Sequence, residues 1–413
     1  MRVLYIVGSC LTKNTSANMS HNAYVQGLLE NGCEVDILMA KDGWGKQDNK
    51  LSIWEEARYR CYPSTSPQDK IRFWGRKLFP SPASDKVKSD KTECTLPEYF
   101  PDNQNFKAIL RSKLKELYYR CFPKDPLYPM ERVWLKKASY FQSSSEYDLV
   151  ISNSSPAASH KLVLLLLQAK RISFKRWVQI WEDPWYADLY GSRDEAVFQE
   201  EHALLSAATE VYYVSPLTLE YQKELFPDCK EKMKHLPLPY LVYTEDNSMK
   251  GSQSFGYFGD FYSRTRNLLP FYEALRESGC VGNIFGDSDL CLESTEHITV
   301  SGRVTLDVLA KVQSETGILV HLCNLRGGQI PGKIYHYSAT NKPILFILDG
   351  TDAERTMIRS YFEQFNRYYF CENNANAILT AMKQICEDLS KFVQYAPVEA
   401  FSPKVVVEQL LNK

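Results

Sequence analysis

The sequence predicts two doubly wound α/β domains, each a parallel sheet with helices on both faces. Three observations carry this expectation. Short apolar, β-branched runs alternate with helical patterns along most of the chain. The alternation breaks at Leu236-Pro237-Leu238-Pro239 and the polar stretch 246–254, then restarts. At 413 residues, the chain is also longer than one ordinary core supports.

The elements follow in order. Arg2 to Gly8 is a compact apolar run that reads as a buried parallel strand. A polar stretch follows, then a helical pattern with apolar Ala23, Val25, Leu28 and Leu29, ended by Asn31-Gly32 because glycine tolerates the left-handed cap. Glu34 to Met39 is the next strand. Further strands are expected at 148–152, 177–181 and 210–214, with helices at 159–170 and 193–207. Beyond the break, strands are expected at 255–258, 281–285, 298–301, 318–322 and 343–348. Helices are expected at 268–278, 306–314, 333–340, 353–365, 375–389 and 404–411. The domains are read as 1–240 and 252–398, with 399–413 forming a terminal helix that returns to the first domain.

The segment 64–145 departs from the alternation. Between Asp69 and Lys137 there are 16 basic and 9 acidic residues, and FKAILRSKLKELYYRCF reads as a basic amphipathic helix. Two readings stay open. One is an insertion with a solvated face. The other is docking to an anionic membrane surface, where each Lys or Arg gains ~1 kcal/mol.

Composition excludes several classes. Lys plus Arg number 49 against 50 Asp plus Glu, so no global charge favours nucleic acid. The eleven cysteines are scattered singly without a CxxC pair, which fits reduced thiols and no metal site. MRVLYIVGSC holds one basic residue and too short an apolar run for a secretory signal. The apolar block 162–167 is far below the ~20 residues of a membrane span. The expected location is cytoplasmic, with peripheral attachment to the inner face of the cell membrane as the extension.

Three loops carry candidate chemistry, since ligands of doubly wound sheets bind beyond the carboxyl ends of strands. The first, Ser9 to Ser20 with His21, lacks GxGxxG and reads as an acceptor loop or as an ordinary helix start with an incidental histidine. The second, GYFGDFYSRTRNLLPF, places Gly259 at a strand end and Arg264 and Arg266 before a helix. Arginines there suit a diphosphate, or form a solvated surface pair. The third, LCNLRGGQIPGKIYHYSATNKPILFI, offers close backbone approach at Gly327-Gly328 and a phosphate contact at Lys333, or a plain turn with an exposed lysine.

The stretch IPGKIYHYSATNKPIL resembles a segment of the bacterial GT-B glycosyltransferases that build capsule, O-antigen and exopolysaccharide (glycosyltransferase family 4-like). SHNAYVQGLLENGCEVDIL, YDLVISNSSP, WEDPW, VYYVSPLTLEY and GYFGDFYSRTRNLLPFYEAL resemble other segments of that family in the same order. The resemblance spans most of the chain apart from 64–124. It implies GT-B architecture and transfer of a sugar from a UDP-linked nucleotide-sugar to a glycan or polyprenyl-lipid-linked acceptor. It also implies catalysis without a metal or other cofactor, the leaving diphosphate being met by Arg264, Arg266 and Lys333.

One departure matters. Many retaining members carry two glutamates with seven residues between them in this region; the corresponding positions here are Gly328 and His336, and no Asp or Glu occurs from Thr316 to Leu348. Retention is therefore not implied, and donor nucleotide and sugar contacts fall to Gly259, Gly327, Gly328, Gln329 and His336. Asp183 is the expected acceptor-side base, with His21 as second candidate and a structural turn cap as the alternative for Asp183. The rival functions are a non-catalytic GT-B scaffold and a GT-B sugar-nucleotide epimerase.

Overall fold

The computed structural model describes residues 1–13, 15–41, 54–65, 127–189, 191, 193–241, 253–326, 329–391, 393 and 395–411. Among them the chain forms two wholly parallel sheets. Across the first sheet the strands lie in the order β3 (Arg58–Pro63), β2 (Glu34–Lys41), β1 (Arg2–Val7), β4 (Tyr147–Asn153), β5 (Phe174–Trp181), β6 (Glu210–Tyr213) and β7 (Met233–His235). The second runs β10 (Ile298–Ser301), β9 (Val281–Phe285), β8 (Ser254–Phe258), β11 (Ile318–Leu322), β12 (Ile344–Leu348) and β13 (Tyr368–Glu372). The strand order reverses beside β1 in the first sheet and beside β8 in the second, the points where such sheets open a crevice.

Helices α1 (Ser16–Glu30), α2 (Arg132–Ala138), α3 (Ala158–Gln168), α4 (Glu195–Ala207) and α5 (Pro216–Leu225) belong to the first half. Helices α6 (Leu269–Ser278), α7 (Leu306–Glu315), α8 (Lys333–Tyr337), α9 (Asp352–Glu363) and α10 (Ala375–Ser390) belong to the second, and α11 (Pro403–Leu411) ends the fold. No helix among the described residues is long and apolar enough to cross a membrane.

The central strands form because they are covered on both faces: Val3 to Val7 of β1 and Ile344 to Ile347 of β12 are fully buried. Three of the four edge strands escaped the pattern, β10 being the exception. β3 reads RYRCYP and its charged residues stay in water, β7 is three residues long, and β13 ends the second sheet half-exposed. Short or charged edges protect a sheet from further pairing, and they erase the apolar run that marks a strand. Helix α2 lies within the stretch read as an insertion, and α5 was unassigned. Helix α8 stops at Tyr337, short of the expected 340. The basic stretch 106–122 and Gly327-Gly328 lie outside the described residues.

The halves share one apolar cluster, running from Val7 and Leu238 through Ile330, Ile334 and Tyr335 to Phe401. Polar bonds cross the same floor. Tyr335 O–H donates to the Val214 carbonyl at 3.1 Å, and the Leu241 amide donates to His336 Nδ1 at 3.2 Å. Helix α11 then packs on α1, where Asn31 Nδ2 donates to the Lys404 carbonyl at 3.0 Å. The contact requires Gly27, since a Cβ there would stand 2.1 Å from the Pro403 carbonyl oxygen.

Candidate active site between the two sheets

On the first sheet's side, the loops after β1, β4 and β5 converge. Helix α1 starts at Thr15, whose side chain accepts from the Asn18 amide, so His21 lies in its second turn rather than at its start. The ring is fully buried. Its Nε2 sits 3.1 Å from the Ser154 carbonyl and 3.0 Å from Glu182 Oε1. Its Nδ1 is 3.4 Å from Ser9 Oγ, which itself donates to Asn18 Oδ1 at 2.6 Å. Ser20 is buried within α1. His21 and Ser9 thus brace the loop carrying Glu182, while substrate access falls to the next residue.

That residue, Asp183, stands in dense surroundings between the sheets, yet its side chain remains open to the cleft. Crowding, then the Glu182 and Asp188 carboxylates, push its carboxyl up to about 7, opposed by a hydrogen bond from Gln329. Solvent access moderates the crowding, and the neighbouring charges act in the same upward direction. Gln329 Nε2 donates to Asp183 Oδ1 and to Asp188 Oδ1, each at 2.9 Å. A side chain following the second sheet thereby spans two carboxylates of the first.

The opposite wall is cationic. A cavity of about 380 Å³ lies beyond the ends of β8 and β11, lined by Gly259, Asp260, Arg266, His321 and Lys333, with Ser16 of α1 reaching in from the other half. The Lys333 ammonium donates to the Phe258 carbonyl. Burial pushes it down to about 8, although the Asp260 carboxylate nearby acts the other way. Burial would raise the Asp260 carboxyl, but Arg303, bonded to it at 3.0 Å, holds it below the usual range. Arg266 is fixed by its Nη1 bond to the Asp260 carbonyl at 3.1 Å and by two bonds to Asn324 Oδ1 at 3.1 and 3.0 Å. Asn324 Nδ2 in turn donates to the Gln329 carbonyl at 3.0 Å. One hydrogen-bonded path therefore runs from Arg266 through Asn324 and Gln329 to Asp183.

The structure brings together Asp183, Gln329, Lys333, Arg266 and Gly259. Arg264 is exposed, its charge felt by Asp289, and it does not line the cavity. His336 faces Leu241 instead; burial and the Lys333 charge push it down to about 4. Sequence reasoning missed Asp188, Asn324 and His321. Asp188 lay five residues beyond Asp183 in the same loop, the one available signal. His321 had none, because it sits in an apolar strand; its Nε2 lacks a hydrogen-bond partner, and burial pushes the ring down to about 3.

Away from the cleft, His202, Asp228 and Cys229 bring donor atoms within 4.8 Å of one another. His202 and Asp228 are already bonded at 2.7 Å, which accounts for their proximity without an ion.

No protein-family model and no curated protein sequence matches the chain. Solved structures do. TarM aligns over 100% of this chain and 98% of its own, with a TM-score of 0.52 at 11% identity. A glycosyltransferase from Rickettsia africae ESF-5 aligns over 100% and 97%, with a TM-score of 0.49 at 11% identity. The UDP-GlcNAc 2-epimerase of Methanocaldococcus jannaschii aligns over 100% of both chains, with a TM-score of 0.45 at 11% identity. At this identity the likeness concerns the fold, two parallel-sheet α/β domains of GT-B architecture.

Proposed function

We propose that the protein is a glycosyltransferase that moves a sugar from a nucleotide-sugar, taken as UDP-linked, to a glycan or lipid-linked acceptor in surface polysaccharide synthesis. The observation that supports this best is the division of one cleft into a cationic wall and a carboxylate wall. Lys333 and Arg266 stand on one side, Asp183 on the other, and Gln329 spans them.

The acceptor hydroxyl oxygen forms the new bond to the anomeric carbon while the bond from that carbon to the diphosphate oxygen breaks. Asp183 accepts the hydroxyl proton. The charge that appears on the departing diphosphate is met by Lys333 and Arg266, whose positions are set before the substrate arrives. An incoming diphosphate also favours the charged ammonium of Lys333, offsetting the burial that disfavours it in the free protein. On this reading the leaving group is handled by side chains without a metal. The basic stretch 69–137 would hold the enzyme against an anionic membrane face, where a lipid-linked acceptor resides.

The test is nucleoside diphosphate release from a panel of nucleotide-sugars, with and without added glycans. Acceptor-dependent release supports transfer. Donor conversion without net release would mean an epimerase, and no turnover of any donor would mean a scaffold.

A further inference from the structure

We propose that the carboxylate end of the cleft is a subsite for a neutral saccharide, one ring of which stacks on Trp185 while its hydroxyls donate to Asp183 and Asp188; this rests on the glycosyl-transfer reading above. A separate cavity of about 230 Å³ opens there, walled by Tyr128, Pro156, Trp181, Asp183, Trp185 and Asp188. It lies below the ~300–1,000 Å³ of pockets that enclose a drug-sized ligand, so it suits one sugar ring rather than a chain.

Its aromatic wall is built in advance. Trp185 is partly exposed and packs against Tyr128, ring centroids 5.2 Å apart at 40°. The fully buried Glu201 anchors that loop, accepting the Trp185 amide at 3.3 Å and the Tyr186 amide at 2.7 Å. A rigid indole presents a negative face to the polarised C–H groups of a sugar ring. The opposite wall carries the Asp183 and Asp188 carboxylates, which in their ionised forms suit hydroxyl donors through short charge-assisted bonds.

The same wall disfavours an anion. Glu131, Asp183 and Asp188 line the cavity, and among the described residues no lysine, arginine or histidine does. At the N-terminus of α3, which borders it, the Ser159 and His160 amides turn back onto the Pro156 and Ala157 carbonyls at 3.1 and 3.0 Å. A phosphorylated group would meet the like charge of these carboxylates. The cationic cavity beside Lys333 lies on the opposite wall, so the two chemistries are sorted by position: diphosphate against the second sheet, neutral polyol against the first.

The experiment is calorimetric titration of the full chain, saturated with UDP, with lactose, cellobiose and chitobiose, and with glucose beside glucose 6-phosphate. The expected result is binding of neutral sugars, with the phosphate ester weaker by about tenfold or more. Trp185→Ala should weaken the neutral sugars by about tenfold while UDP still binds, and Trp185→Phe should retain most of the affinity. Asp188→Asn should narrow the discrimination against the phosphate ester. Tighter binding of the phosphate ester, or no saccharide binding by a protein that holds UDP, overturns the subsite. So does saccharide binding indifferent to both Trp185 variants. Failure to bind any nucleoside diphosphate (UDP, GDP, ADP or dTDP) removes the underlying reading, which separates the two failures.

Discussion

Gln329 donates to Asp183 across the cleft at 2.9 Å, and this bond joins the loop after β11 to the carboxylate after β5. The same amide nitrogen also reaches Asp188. A neutral donor thus holds two acidic groups close together and favours the ionised form of Asp183, against the burial and the neighbouring charges that push it upward. The protonation state of Asp183 is therefore coupled to the relative position of the two sheets.

Asp183→Asn should lower glycosyl transfer at least ~10²-fold with little change in nucleoside diphosphate affinity, because the amide cannot take the acceptor proton. In the wild type only the ionised carboxylate is a base, so transfer should rise with pH through about 7. The linkage to stability has the opposite sense: a raised carboxyl contributes stability below about 4 that is lost as pH rises through about 7. Wild-type turnover in a folded Asn variant would return Asp183 to a structural role.

Changing Gln329 should move that pH limb. Gln329→Leu removes the donated hydrogen bond and should shift the limb upward. Gln329→Glu sets a further carboxylate against Asp183 and Asp188 and should shift it more, by on the order of one unit or above. The order wild type, Leu, Glu is the check, read from rate against pH. A limb that stays in place would uncouple Gln329 from the reacting carboxylate.

Lys333→Ala should weaken nucleoside diphosphate binding by about 1–3 kcal/mol, the range for hydrogen bonds to charged groups. Because burial pushes Lys333 down to about 8, the free protein loses this charge as pH rises through that value, and a bound diphosphate restores it. Binding at pH near 9 should therefore take up a fraction of a proton, seen as a calorimetric enthalpy that varies with the buffer. Lys333→Arg should abolish the uptake. A buffer-independent enthalpy in the wild type would place the lysine away from the diphosphate.

Gly27→Ala should destabilise the protein by about 1–3 kcal/mol, since the new methyl meets Pro403 backbone with no room to yield. Urea denaturation should show the loss, and hydrogen exchange should show α11 opening first. Unchanged exchange in 403–411 would mean that α11 does not depend on this contact.

If the stretch 69–137 docks to membranes, the protein should bind anionic liposomes more than neutral ones, and salt should weaken the binding by screening. Equal partitioning to both, or none to either, would leave the stretch as a solvated feature.

By itself the sequence determined the layered plan. Buried parallel strands are predominantly apolar, so β1, β11 and β12 announce themselves. Glycine at Gly32, with φ of +73°, ends α1 for a reason local to its own backbone. The charged edge strand β3 carries no such mark, since what makes it a strand is its pairing with β2. The site divides the same way. Lys333, Arg266 and Asp183 were legible as candidates because each lies in the segment following a readable strand, where a doubly wound fold places its ligand. That Arg264 faces away, that His336 turns to Leu241, and that Asn324 and Asp188 complete the path was decided by tertiary structure. These relations depend on the distance and rotation between two sheets about 140 residues apart in sequence (Gln329 to Asp188 is a separation of 141), and no local propensity encodes the direction in which a side chain crosses that gap.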